Sequence, residues 1–222
     1  MTDDELWLDV AAELSWDPKV NAEQVVVSVE DGIVSLRGTA GSFRQKREAV
    51  TAAQRVYGVI EVNDELQVRI PDSCRRGDAV LRGDVLQALM LDSLVPASVD
   101  AKVEDGFVTL TGTVGWQYQR DEAEFVAGNV PGVCGVEDGT TLIPALGASD
   151  IAKRIAAAFG RNAVLAARDL SVSTTCFGMV TVSGVVHSRT EHDTAIAATW
   201  AAPGVTEVDD GIVVEYLSLI HI

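Results

Sequence analysis

Three tandem α+β domains are predicted by the sequence, each a helix-strand-strand-helix-strand unit with a three-stranded mixed sheet packed on two helices. Two observations carry this: a threefold internal repeat, and a switch of hydrophobic period inside each copy. The segments DGIVSLRGTA from Asp31, DGFVTLTGTV from Asp105 and FGMVTVSGVV from Phe177 align, the second 74 residues after the first and the third a further 72 along. Each carries a glycine, alternating apolar positions and a second glycine six residues on: Gly32 and Gly38, Gly106 and Gly112, Gly178 and Gly184. Twenty residues later a third glycine, Gly58, Gly132 or Gly204, opens GVIEV, GVCGV or GVTEV.

The elements follow in order. Leu6, Val10 and Leu14, then Leu81, Val85 and Leu89, then Ile151, Ile155 and Phe159 recur at i, i+4 and i+8, one stripe of an amphipathic helix. Short runs with β-branched residues come next, Val25 to Glu30, Val99 to Glu104 and Leu170 to Thr174, and read as first strands. Asp31-Gly32 and Asp105-Gly106 supply the pair that a type I′ hairpin turn requires, because both central residues need positive φ. The third copy has Phe177-Gly178 there, a weaker turn. The glycine-framed segment is then the second strand. After it, Ala49, Ala52, Ala53 and Val56 share one helical face, as do Ala123, Val126, Ala127 and Val130, and Ala195, Ala198, Thr199 and Ala202. Small residues on that stripe let the second helix approach the sheet closely. Gly58, Gly132 and Gly204 are expected to end these helices in a left-handed cap. A third strand runs over Val59 to Ile70, Val133 to Ile143 and Val205 to Val214.

Pro71 to Gly77 and Pro144 to Ser149 interrupt the pattern and read as linkers. The expected domains are therefore residues 1–70, 78–143 and 149–215. Residues 216–222, YLSLIHI, break the polar ending expected after a last strand and read as a non-native extension.

Composition narrows the function classes. With 47% hydrophobic and 23% charged residues the chain is ordinary globular material. Seventeen Lys plus Arg against 33 Asp plus Glu leave a net charge of −16, which argues against nucleic acid as a partner and penalises anionic membranes. No run approaches the roughly 20 apolar residues of a membrane helix, and the acidic start MTDDELWLDV is unlike a secretory signal. Cys74, Cys134 and Cys176 are odd in number and widely spaced, fitting neither a disulfide framework nor a zinc pattern. A cytoplasmic setting is expected.

Catalytic and metal patterns are not found. The acid pairs Glu30-Asp31 and Glu104-Asp105 are explained by the turn glycines beside them. His187 and His192 are five apart, not at helix-face metal spacing, and His221 lies in the tail. No G-x-S-x-G, G-x-x-x-x-G-K-[ST] or G-x-G-x-x-G run occurs. No enzyme activity, metal or cofactor is expected. One basic cluster stands out: Arg44, Arg47 and Arg55 fall opposite the alanine stripe of the second helix in the first repeat, flanked by Lys46, and form a candidate contact for an anion or lipid headgroup. The alternative is a solvated face paired with its own acids. In the second repeat the same helix opens Trp116-Gln117-Tyr118, whose aromatic residues suit packing or an interface. That repeat has five basic and twelve acidic residues from Pro71 to Pro144, so a lipid site there would be very local.

The segments WDPKV, VEDGIVSLRGTA and YGVIEVND, with VEDGFVTLTGTVGWQYQRDEAE, VPGVCGV and TWAAPGVTEVDD, resemble the BON domain (bacterial OsmY and nodulation domain), over nearly the whole chain. The nine glycines named above are the specific part of the likeness. Departures lie at Glu137 and Asp209, where the first repeat has Asn63, and at the missing Asp-Gly turn of the third repeat, expected to be the looser domain. The resemblance implies a non-catalytic module without a cofactor, associated with cell-envelope or osmotic-stress proteins and contacting phospholipid or other proteins. Two functions stay open: a phospholipid-surface module using Arg44, Arg47 and Arg55, and a protein-protein adaptor or holdase that binds no lipid.

Overall fold

The computed structural model describes residues 2–71, 74–143, 151–166, 168–174 and 178–215. In the first repeat, α1 (Asp3–Trp16) is followed by a 3-10 turn (Ala22–Gln24), β1 (Val25–Glu30), β2 (Ile33–Ala40), α2 (Phe43–Gln54) and β3 (Glu61–Val68). The second contains α3 (Asp78–Leu91), β4 (Asp100–Glu104), β5 (Phe107–Val114), α4 (Gln117–Gly128) and β6 (Gly135–Leu142). The third contains α5 (Ile151–Arg161), β7 (Leu170–Thr174), β8 (Met179–Val186), α6 (Arg189–Trp200) and β9 (Glu207–Val214). Each repeat is thus the expected helix-strand-strand-helix-strand unit with its own three-stranded mixed sheet. The described chain forms two compact units, residues 1–114 with 119–141, and residues 115–118 with 142–222.

The central strand of each sheet is the glycine-framed one, in the orders β1-β2-β3, β4-β5-β6 and β7-β8-β9. β1 pairs antiparallel with β2 across the hairpin, and β3 returns parallel to β2 with Ile33 opposite Glu61. β8 and β9 pair the same way, Met179 opposite Glu207. Alternation along the central strands buries Val34 and Leu36, Val108 and Leu110, and Val180 and Val182. These meet the predicted helix stripes: Leu6, Val10, Leu14, Ala49, Ala52 and Ala53 in the first core, and Ile155, Phe159 and Ala195 in the third.

Local chemistry fixes the helix starts. Thr2 and Glu5 form a reciprocal capping box on α1, and Ser42 and Ser188 cap α2 and α6 through the N–H groups of Gln45 and Glu191. Both hairpin turns adopt the expected geometry, with φ of 51° at Asp31 and Asp105 and about 80° at Gly32 and Gly106.

The structure corrects several boundaries. The first strand of the second repeat starts at Asp100, one residue late. The third strands start at Glu61, Gly135 and Glu207, each two residues late, and β3 stops at Val68. The preceding valines, Val59, Val133 and Val205, are buried in the cores without strand pairing. The third glycines have positive φ but do not cap the helices: α2 ends at Gln54 with Arg55 as a right-handed cap, four residues before Gly58. The residue two places after each of them docks on the hairpin instead. The carbonyl of Gly32 accepts the N–H of Ile60, that of Gly106 the N–H of Cys134, and that of Gly178 the N–H of Thr206. The backbone after each second helix is thereby held against the hairpin, and a Cβ on Gly178 would lie 2.2 Å from the Gly204 carbonyl oxygen. The linker segment 144–149, the Phe177 turn residue, Cys176 and the tail 216–222 lie outside the described residues.

Candidate functional site

In each repeat a side chain of the second helix meets a carboxylate of the third strand. Asp64, Asp138 and Asp210 occupy equivalent positions on β3, β6 and β9, and each takes the backbone N–H two residues ahead: Leu66 at 3.0 Å, Thr140 at 2.9 Å and Ile212 at 3.0 Å. This local bond fixes the carboxylate, leaving its second oxygen turned to the helix. A basic side chain meets it there in every repeat. Lys46 Nζ lies 3.1 Å from Asp64, Arg120 Nε 2.6 Å from Asp138, and His192 Nε2 2.7 Å from Asp210. Lys46 and Arg120 also donate to the carbonyls of Leu66 and Thr140, at 2.7 and 2.6 Å. In each pair the partners are eighteen residues apart and clasp helix to sheet across the β-α-β connection.

The three arginines singled out on α2 do not share one free face. Arg44 is exposed and lies 3.8 Å from Glu48. Arg55, at the helix end, turns to α1, where it bonds Glu13 at 3.0 Å and the buried Asp17 at 2.8 Å. The Arg55 bond and the Lys19 N–H hold the Asp17 carboxyl below the usual carboxylate range. Arg47 is partly buried between two aromatic rings, 5.4 Å from the Phe43 centroid and 4.9 Å from that of Phe125 on α4, and donates to Asn129 Oδ1 at 3.0 Å. Burial lowers the proton affinity of its guanidinium and raises that of the nearby Glu124 carboxyl. Phe43 also seats its ring on Gly128, where a Cβ would come within 2.8 Å of it. The α2 surface expected to face a ligand therefore packs, through Phe43 and Arg47, against α4 of the second repeat. A helical wheel places residues on a side of a helix and says nothing about what covers that side.

Helix starts hold another set of polar contacts missed in the sequence. Asp3 accepts the N–H groups of Asp31 and Gly32, at 3.0 and 3.3 Å, and Asp78 those of Asp105 and Gly106, at 2.9 and 3.1 Å. One carboxylate thus ties the hairpin turn to the helix start; the equal separation of Asp3 from Asp31 and of Asp78 from Asp105, within a residue, was the available signal.

The remaining candidates are scattered. The Trp116 and Tyr118 rings sit 6.4 Å apart at the start of α4. Cys134 is a free thiol, and burial pushes its pKa above the ordinary thiol value. His187 Nδ1 lies 2.9 Å from the Glu215 carbonyl oxygen. Among the described residues no three His, Cys, Asp or Glu side chains converge to hold a metal, and no helix is long and apolar enough to cross a membrane. The charges close on one another as clasps that tie second helix to third strand.

No curated protein matches the chain. Among solved structures it is similar to CdsD, a structural protein of the type III secretion system of Chlamydia trachomatis, at 14% identity and a TM-score of 0.27, covering 96% of this chain and 94% of that one. The CdsD C-terminal domain gives 16% identity and 0.27, over 97% and 100%; the PrgH periplasmic domain gives 11% and 0.23, over 86% and 95%. Scores this low carry no argument about fold or function. The BON domain family matches residues 2–70, 77–144 and 147–216, the same three repeats that the glycines and the recurring clasp mark out. The chain belongs to the BON domain family and carries that domain three times in tandem.

Proposed function

We propose that the chain is a non-catalytic binding module in which three BON domains present stiffened surfaces to a partner protein. The observation that carries this reading is the position of Arg47: clamped between Phe43 and Phe125 and bonded to Asn129, it is spent on joining two repeats and is not offered to a headgroup. Arg55 is likewise engaged by Glu13 and Asp17. A surface of net charge −16 favours basic or neutral protein partners over anionic lipid. The free thiol at Cys134 suits a reducing compartment such as the cytoplasm.

A phospholipid-surface reading through Arg44, Arg47 and Arg55 is the second one, favoured by the exposure of Arg44 and its long 3.8 Å contact to Glu48. Co-flotation of the full chain with phosphatidylcholine vesicles, with and without phosphatidylglycerol, at low and high salt separates the two. The adaptor reading expects no flotation under any condition, together with a defined protein adduct when a photo-crosslinker at position 44 is activated in the host cell. Salt-sensitive flotation that Arg44→Ser weakens and the triple Arg→Ser change abolishes would replace it with the lipid reading.

A further inference from the structure

The three clasps between second helix and third strand are built alike, but the residue facing the aspartate is a lysine in the first, an arginine in the second and a histidine in the third, and histidine is the side-chain type that ordinarily titrates near physiological pH. We propose that the His192–Asp210 clasp is a proton-dependent lock, so that the third BON domain alone is held shut by protonation and loosens as rising pH removes that proton.

The geometry is specific. The His192 ring is largely buried, and both its nitrogens face carboxylate oxygens: Nδ1 stands 2.9 Å from Asp193 Oδ1 and Nε2 2.7 Å from Asp210 Oδ2. An ionised carboxylate only accepts, so satisfying both contacts requires a proton on each nitrogen, that is, the imidazolium. Neutral imidazole leaves one contact as two facing lone pairs in a largely buried site. The charged groups acting on the ring are Asp193 and Arg189 from α6 and Asp210 from β9; β8, with sequence MVTVSGVV, carries no charged residue, and α5, which also packs on α6, carries Lys153, Arg154 and Arg161. Arg189 opposes the charge, but it is itself paired with Asp193 at 2.9 Å. The hydrogen bond to Asp193 is the main cause raising the proton affinity of His192 above its ordinary value of 6.5, with Asp210 adding to it and burial working against it.

The sign follows from linkage. A folded-state pKa above the unfolded one contributes stability that is full below about 6.5 and is lost as pH rises through the folded value. Two measurements on the full chain test the lock. The imidazole NMR titration of His192 is expected to have a midpoint above that of free imidazole side chains; a midpoint at or below it overturns the proposal. Amide-exchange protection over residues 179–214, corrected for intrinsic rates, is expected to fall between pH 6 and pH 9 by about tenfold for each unit of that midpoint shift, with the first two domains unchanged over the same range. His192→Arg, which copies the second repeat, is expected to flatten the profile of the third domain. An equal pH dependence in His192→Arg, or an equal fall in all three domains, overturns the proposal.

Discussion

The guanidinium of Arg47 lies 4.9 Å from the ring centroid of Phe125, seventy-eight residues away in the sequence and in a different BON domain. With the Phe43 centroid at 5.4 Å and Asn129 at its tip, and with Phe43 itself seated on Gly128, this side chain helps to join the first two domains. Partly desolvated contacts of this kind are worth about 1–2 kcal/mol. Phe125→Ala and Arg47→Ala are each expected to weaken cooperative unfolding of the first two domains by that amount. The double mutant is expected to lose less than the sum, measured by urea denaturation as a thermodynamic cycle.

Gly38 shows φ of 116°, and a Cβ there would stand 2.1 Å from the Gln24 carbonyl oxygen. Gly112 meets Ser98 in the same way. Neither backbone can move without breaking the strand beside it. Gly38→Ala and Gly112→Ala are therefore expected to cost at least about 3 kcal/mol each, beyond the usual strain of a left-handed alanine. Denaturant midpoints of the two variants check this, with Gly83→Ala, in open space on α3, as the tolerated control.

Acid is expected to loosen the first domain through Asp17. Its carboxyl is held below the normal range by Arg55 and the Lys19 N–H, so its contribution is present above the unfolded value, near 3.8, and is lost as pH falls through the lower folded value. Asp17→Asn is expected to destabilise the domain at neutral pH and to flatten its acid limb below about pH 4. Thermal unfolding followed across that range gives the comparison.

The carboxylates of Asp3 and Asp78 hold two turn N–H groups each. Asp3→Ala is expected to cost about 1–2 kcal/mol and to speed amide exchange at Asp31 and Gly32. The same groups in the second domain, Asp105 and Gly106, are expected to keep their protection. Asp78→Ala is expected to give the reverse pattern.

The fold was legible because its determinants are local and repeated. Period-2 strands, i, i+4 stripes and Asp-Gly turns lie within a few residues, and three copies removed the ambiguity of each. The roles of the glycines were only half legible: Gly58 marks a turn in sequence, but that its segment docks on Gly32 depends on β3 lying beside β2. The site was less legible still. Lys46, Arg120 and His192 are three different residue types at one position, so a search for identical residues passes over them, although the unchanging Asp64, Asp138 and Asp210 opposite were available to prompt it. Arg47 was placed on the correct side of its helix, but nothing within one repeat says that a phenylalanine from the next covers it.

The parallel return of the last strand also sets how each domain is made. Ile33 meets Glu61 and Met179 meets Glu207, in both cases across 28 residues, so the connection to be closed is equally long in the first and third domains. On a ribosome the hairpin can form early, but no sheet is complete until its last eight residues have emerged. With loop length equal, differences in folding rate between these two domains fall to the side chains, and their completion is paced by synthesis of the chain, one segment of about seventy residues after another.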